Sequence, residues 1–397
     1  MTTAAPGSTT DRLPPAHVHP GTPARLLSTA PEPAVAVRGK ALIEELAAAG
    51  LRGRGGAAFP VATKWRSVAN GSGPRVVVAN GAEGEPASWK DRYLLRTRPR
   101  LVLDGLLLAA EALDADRAVV YVSRSEDELA VRAALTGLPD RAVEVVTVPD
   151  RYVAGEETAV VRAIDEGIAL PRAKPPRPYE KGVDGRPTLI QNVESLAHTA
   201  WIARHGAEAF REEGTPGSPG TTLVTVNTGD RTTLHETALG TPLRDVVGEA
   251  RAVLAGGYFG GLLPPSRLGL PLDYDAFREA GSGLGCAAFT VVRAGECPLE
   301  LGTAVARYFA AESSRQCGVC LNGTKAMAAA LDRIGTGAHD EEDPDRLARW
   351  AATLPGRGAC ALLDGAALLV RSLLTHFADE IHHHQRRVCP AREEHLR

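Results

Sequence analysis

PRVVVANGAEGEP, residues 74–86, is a β-rich run that breaks into a glycine- and acid-rich turn. Downstream come a helical pattern LVLDGLLLAAEAL (101–113), a strand RAVVYVS (117–123), a helix EDELAVRAALTGL (126–138) and a strand AVEVVTVPD (142–150). That alternation is the βαβαβ signature of a parallel sheet covered by helices. In such sheets ligands bind at the carboxyl ends of the strands, which here places Asn80, Glu83 and Glu85 at a candidate site. Solvated loop acids are the plain alternative for that turn.

Upstream, KALIEELAAAGL from Lys40 reads as an amphipathic helix running into the glycine cluster RGRGGAAFP. Residues 1–36, rich in Thr, Pro, Ala and His without periodicity, are expected to be a flexible arm. Downstream, the Pro-rich segment 170–187 leads into a helix around NVESLAHTAWIARHG. After the linker EEGTPGSPGTT the texture changes to short β runs with glycine turns, TLVTVNTGD and AVLAGGYFGG. From Cys297 to Phe377 the chain turns helical again, and no internal repeat is evident. Expected boundaries are 1–36 for the arm, then 37–218 for the α/β domain. A β-containing module should follow at 219–294 and a helical region at 295–397.

The chain has 397 residues, enough for two or three cores. Its formal net charge is -3, so no basic face points to nucleic acid. Six cysteines, with no charged leader ahead of an apolar run, do not make a secreted disulfide scaffold. A reducing cytoplasm is the expected compartment. No apolar run approaches the roughly 18–20 residues of a membrane span, so any membrane attachment is expected through partners.

Gly53 to Ala58, GRGGAA, matches a dinucleotide fingerprint formally, but a helix precedes it and Pro60 follows. It reads either as a tight turn or as a backbone cradle for a phosphate or flat ring. RYVAGEETAV brings Tyr152, Gly155, Glu156 and Glu157 after the third strand, as ligand contacts or as helix caps. The histidines of ADEIHHH (378–384) are consecutive and fan around a helix, so they read as a solvated helix end. Cys286 and Cys297 read as small buried hydrophobes, and Cys389 as a loose thiol unless the chain folds back. Cys317 and Cys320 form a C-x-x-C in ESSRQCGVCLNG, and Cys360 follows in GRGACALLDG.

In the order LRGRGGAAFPVATKW, NGAEGEPASWKDR, YVAGEETAV, PRAKPPRP, GRPTLIQNVESL, AGGYFGG and ESSRQCGVCLNG, the chain resembles the NuoF family. These are the flavoprotein subunits of respiratory complex I, NAD-linked hydrogenases and formate dehydrogenases. The likeness spans roughly residues 38–385. It implies an α/β Rossmann-like flavin domain, a ubiquitin-like β-grasp module of the SLBB type, and a C-terminal helical bundle that binds an iron-sulfur cluster. It further implies an NADH dehydrogenase-like enzyme in which hydride passes from NADH to FMN and electrons leave singly. By matching position, FMN should be held by Gly53, Gly55, Lys64, Asn80, Glu83, Glu156 and Asn192. NADH should be held by Phe59, Glu85, Tyr152, Glu157 and Lys174. The implied partner is a ferredoxin or thioredoxin-like iron-sulfur protein, alone or within a larger membrane-associated redox complex. Flavin exchange with a ferredoxin or membrane reductase without nucleotide specificity, and a cofactor-free assembly protein, are the rival readings.

The chain departs from the family pattern at several points. An acid that usually follows Asn80 is missing from Asn80-Gly81-Ala82-Glu83, and Ala58 replaces a glycine. Ser67 and Arg177 stand where phenylalanines usually sandwich adenine, and Gln191 replaces an Asn. The cluster pattern expects four cysteines, whereas Cys317, Cys320 and Cys360 fill three positions and Ser314 the first. A serine alkoxide is a harder, more basic ligand than a thiolate. A labile [4Fe-4S] cluster, a three-iron cluster and an empty site are the competing expectations.

Overall fold

The structure is a computed structural model describing residues 12–136 and 143–391. The first third of the expected arm, the end of the expected helix at 126–138, the residue opening the third expected strand, and the last residues of the bundle lie outside the described residues.

The described chain opens with strand β1 (Ala16–Val18), then helices α1 (Ala41–Ala49) and α2 (Val61–Ala69) flanking the glycine loop. The α/β domain continues through β2 (Arg75–Asn80), α3 (Lys90–Thr97), α4 (Pro99–Ala112), β3 (Ala115–Val122), α5 (Ser125–Leu135) and β4 (Val143–Thr147). It closes with α6 (Glu157–Glu166), α7 (Pro178–Lys181), β5 (Thr188–Asn192) and α8 (Val193–Arg211). The strands β2 to β5 form one parallel sheet in the order β4-β3-β2-β5. Successive side chains of β2 point to opposite faces. Val77 and Ala79 pack in a core with α1, α2, α4 and α8, while Val76 and Val78 pack against Val160 and Val161 of α6. Burial on both faces explains why the run lacks polar alternation. Each such valine stabilises the fold by about 1.5–3 kcal/mol over leaving it exposed. Because the chain reaches β5 only after β4, on the far side of β2, the order reverses at β2 and opens a crevice at its carboxyl end.

A six-stranded sheet follows, from β6 (Thr221–Thr228), β7 (Arg231–Ala238), β8 (Ala252–Leu254), β9 (Leu262–Leu263) and β10 (Ala288–Val292), ordered β1-β7-β6-β10-β8-β9. The β6–β7 hairpin with β10 parallel to β6 is the β-grasp arrangement. Short helices α9 (Leu243–Val247) and α10 (Tyr274–Glu279) complete the module.

The expected flexible arm is corrected here for residues 12–36. Strand β1 pairs in parallel with β7, matching Ala16 to Leu234 and Val18 to Glu236. The buried Glu236 carboxylate accepts the N–H groups of Arg25, Leu26 and Leu27 at 3.0, 2.9 and 2.9 Å. The Arg25 guanidinium lies 4.4 Å from the Trp201 ring centre and donates to the carbonyls of Ala209 and Phe210. Backbone pairing and one anchoring carboxylate produce no hydrophobic periodicity, so composition alone misreads this segment.

The helical bundle comprises α11 (Pro298–Glu312), α12 (Gly318–Thr336), α13 (Asp343–Thr353), α14 (Leu362–His376) and α15 (Ala378–Gln385). Helix α12 starts five residues earlier than the run GTKAMAAALDRIG suggests, with Cys317 as its N-cap residue and Cys320 in its first turn.

Candidate functional site

The crevice at β2 is walled by backbone. Asn80 and Asn192 end adjacent strands as a register pair. Asn80 donates from Nδ2 to the Gly155 carbonyl at 2.8 Å. Asn192 caps α8 through Oδ1, and its Nδ2 donates to Asp91 at 2.7 Å. A Cβ on Gly55 would stand 3.2 Å from Asn192 Cβ; on Gly84 it would meet the Tyr152 carbonyl at 2.6 Å, and on Gly155 the Ala82 carbonyl at 2.6 Å. The turn after β2 and the loop before α6 therefore interlock at backbone distance, which only glycine permits, while Gly55 brings the glycine loop close against the Asn192 side chain. Gly53 N–H bonds the Phe59 carbonyl at 2.9 Å and closes the loop, leaving Phe59 52% exposed beside it.

Lys64 reaches in from α2. Its Nζ donates to the Ile190 carbonyl at 2.5 Å, and no carboxylate pairs with it among the described residues. Burial holds its pKa below the usual lysine value, partly offset by the charge of Glu157. A half-buried lysine left without an acid among the described residues, next to a glycine loop, fits the phosphate of a flavin mononucleotide.

The acids divide their work. Glu83 is buried, accepting from Ser88 Oγ at 2.5 Å, from the N–H groups of Asp91 and Arg92, and from the Arg92 guanidinium at 3.0 Å. Its carboxylate braces α3 against the turn. Glu156 caps α6, accepting from the N–H groups of Thr158 and Ala159, and Lys174 bridges it to Glu157 at 2.9 and 3.0 Å. Glu85 accepts from the Tyr152 hydroxyl and the Tyr258 N–H, both at 3.0 Å. Burial pushes its carboxyl up to about 7. Tyr152 stacks on Phe259 at 5.5 Å between ring centres, with Tyr308 and Phe309 edge-on to it.

Sequence reasoning missed the buried charges beneath this crevice. Lys90 Nζ lies 2.6 Å from Asp91 and 3.1 Å from Glu194, both carboxylates buried. Asp91 in turn holds Asn192, so a charge below the site orients an amide at its edge. Lys90 also pulls Glu194 down to about 2 against the opposing effect of burial. The only visible signal was WKDR after the turn, which reads equally well as a solvated helix start. Arg54, inside the glycine loop, is likewise buried and donates to the Pro219 and Thr221 carbonyls, tying loop to β-grasp module.

At the far end of α11, Cys320 is buried, and Cys317 and Cys360 pack half-buried against the same core cluster. Cys317 Sγ accepts the Ala359 N–H at 3.4 Å. The hydroxyl against Cys320 Sγ is that of Ser313, at 3.7 Å, while Ser314 sits at an intermediate exposure beside it. Three thiols on one side of a loop and helix N-terminus fit an iron-sulfur cluster, with one ligand position short of a thiolate.

The expected solvated end at 378–384 is corrected in three residues, since Glu380 and Ile381 are buried as well as one of the histidines. His382 and His383 are exposed, but His384 is buried, and Cys389 folds back toward it and Cys297.

The fold and these sites define an NADH dehydrogenase-type flavoprotein with an FMN-binding domain and an iron-sulfur binding region. Residues 46–201 match the Nuo51 FMN-binding domain, and residues 300–384 match the NADH-ubiquinone oxidoreductase-F iron-sulfur binding region. The chain belongs to the NuoF family, the F-type subunits of NADH-quinone oxidoreductase. It is 32% identical to the second F-type NADH-quinone oxidoreductase subunit of Rhizobium meliloti (strain 1021), over 88% of this chain and 90% of the relative. It is 33% identical to the F-type NADH-quinone oxidoreductase subunit of Mycobacterium tuberculosis (strain ATCC 25618 / H37Rv), over 83% and 81%. Among solved structures, NAD+-reducing [NiFe]-hydrogenase in the air-oxidized state superposes with a TM-score of 0.83 at 32% identity, covering 92% of this chain and 67% of that one. No helix among the described residues is long and apolar enough to cross a membrane.

Proposed function

We propose that the interlocked crevice at β2 holds FMN and admits NADH to one face of it, with Lys64 binding the phosphate and the glycine loop lying under the ring. When bound, FMN supplies the hydride chemistry that no side chain here can perform. Gly53 and Gly55 leave room for backbone approach, while Asn80 and Asn192, held by Gly155 and Asp91, fix the crevice edge. Glu83 and Glu156 act by bracing α3 and α6. Phe59 offers an exposed ring to the nucleotide, and Arg177 can lay its guanidinium plane where an adenine would stack. Glu85 and Glu157 accept ribose hydroxyls, the Glu157 carboxylate repels a 2′-phosphate, which favours NADH, and Lys174 holds Glu157 in place. Tyr152 orients Glu85 through its hydroxyl. Cys317, Cys320 and Cys360 hold the iron-sulfur cluster that passes single electrons to a ferredoxin or thioredoxin-like iron-sulfur partner. The working location is cytoplasmic, peripheral to a membrane complex through such partners.

The observation that carries this reading is Lys64: a half-buried amine beside the glycine loop, bonded to a carbonyl and, among the described residues, paired with no carboxylate. The test is anaerobic titration of the FMN-reconstituted protein with NADH, with bleaching of the flavin absorbance expected. A protein that stays colourless after reconstitution, or bound flavin that NADH leaves oxidised, overturns it.

A further inference from the structure

Three side chains that the flavin and cluster chemistry does not use meet at the other end of the bundle. Cys297 is the N-cap residue of α11 and is buried, His384 lies in the last turn of α15 and is buried, and Cys389 follows that helix. One ligand atom from each lies within 4.8 Å of the others, and Cys297 Sγ is 3.3 Å from His384 Nε2. Arg387, in the left-handed region at φ 62, bends the chain back after α15, with Arg387 N–H on the His384 carbonyl at 2.9 Å and Val388 N–H on that of His383 at 3.0 Å. His384 Nδ1 faces the Gly335 carbonyl at 3.4 Å. A proton on Nδ1 answers that carbonyl and leaves the Nε2 lone pair directed at the two sulfurs, the tautomer a metal-ligating imidazole needs.

We infer that Cys297, His384 and Cys389 form a second metal site, mononuclear and of the zinc class, separate from the iron-sulfur position. Two thiolates and a neutral imidazole neutralise a divalent cation, so the buried site carries no net charge when loaded. Tetrahedral coordination, with Zn–S about 2.3 Å and Zn–N about 2.0 Å, sets ligand atoms roughly 3.5–4 Å apart, a spacing the cluster needs little movement to reach. The thiolate and imidazole donors select zinc over magnesium or calcium. Three protein ligands leave the fourth position to water, reachable on the side of the half-buried Cys389. The separation from Cys317 and Cys320 is set by α11, whose 15 residues span about 22 Å between Cys297 and the cluster loop. The site clasps the segment after α15 to the start of α11. A thiol-imidazole nucleophile is the competing chemistry for Cys297 and His384, but Cys297 is only 6% exposed and a second thiol completes a ligand set.

The test is elemental analysis of the full-length protein purified without added metal. About one zinc per chain is expected, falling at least about fivefold in His384→Ala and in Cys389→Ser and holding in Cys317→Ser. Cobalt(II) added alone to metal-stripped protein should give thiolate-to-cobalt charge-transfer absorption in wild type and Cys317→Ser but not in the two site variants. Background zinc and no such absorption in folded wild-type protein overturns the inference. So does equal zinc in wild type and His384→Ala, or a Cys297–Cys389 disulfide in the freshly isolated protein.

Discussion

Lys64, half-buried, and His198, fully buried, are basic side chains without a close carboxylate hydrogen bond, and they solve that problem differently. Lys64 sets its Nζ against a carbonyl, where burial lowers its pKa and an incoming phosphate would favour the charged form. Lys64→Ala should weaken FMN binding at least about tenfold, because a charge-assisted phosphate contact is worth about 1.5–3 kcal/mol. Ser67→Ala, whose exposed hydroxyl bonds only the Thr63 carbonyl, should leave affinity unchanged; flavin fluorescence titration of both variants reads the difference. His198 instead stays neutral: burial lowers its pKa from 6.5 to about 4, with Arg54 and Arg25 reinforcing the shift and Glu194 at 3.8 Å opposing it. A depressed histidine pKa means the unfolded chain binds the proton more readily. The contribution to stability is therefore complete above about 6.5 and drains as pH falls toward about 4. His198→Leu should flatten that acid limb in thermal melts between those pH values, and an unchanged limb would assign it to other groups.

At the scale of elements, what was legible was whatever repeats in sequence: the doubly buried valines of β2, the helix at Lys40 closed by Gly50, the amphipathic runs of the bundle. What was not legible depends on contacts between distant segments. Strand β1 is three residues long and only part-buried, and what orders its segment is pairing with β7 together with the Glu236 carboxylate on the N–H groups of Arg25 and Leu26, both more than two hundred residues on in sequence. The pair Lys90 and Glu194 belongs to separate helices, so neither charge announces its burial. His384 was lost among its neighbours because a bend at Arg387, not a helical repeat, creates its partner. In the site, the glycines and acids were legible by position, but Glu83 and Glu156 turned out to spend their carboxylates on helix starts. Helix α12 carries a further test. Its N-terminus carries Cys317 and Cys320, where the helix dipole favours an anionic cluster, and in the proposed site the position short of a thiolate falls to Ser314 on the loop before it. Ser314→Cys should raise iron and acid-labile sulfide per flavin after anaerobic reconstitution. Equal content in both proteins, at a full complement, would show that Ser314 does not weaken the site; no iron in either would show that the cavity is lost as well.

Across the whole molecule, the parts are joined where the chemistry is. Arg54 fastens the glycine loop to β6, and the rings of Tyr152, Phe259, Tyr308 and Phe309 bring the α/β domain, the β-grasp module and α11 into one cluster beside Glu85. The amino-terminal segment is the third tie. It adds β1 to the edge of β7 and lays Arg25 across Trp201 of α8, so that one stretch of chain spans module and domain. Removing residues 1–36 would strip three N–H donors from the buried Glu236 carboxylate, each worth about 1.5–3 kcal/mol as a bond to a charged group. Thr221 Oγ1 at 2.9 Å would be its remaining partner. The same cut exposes the free edge of β7, a surface able to pair with a second copy. The truncated protein should therefore melt several degrees lower and self-associate on size-exclusion chromatography. Glu236→Gln in the full-length chain should reproduce the lower melting temperature without the association, since β1 still covers the edge. A truncated protein that melts within about a degree of the full chain and stays the same size would show that the segment rests on the fold without holding it together.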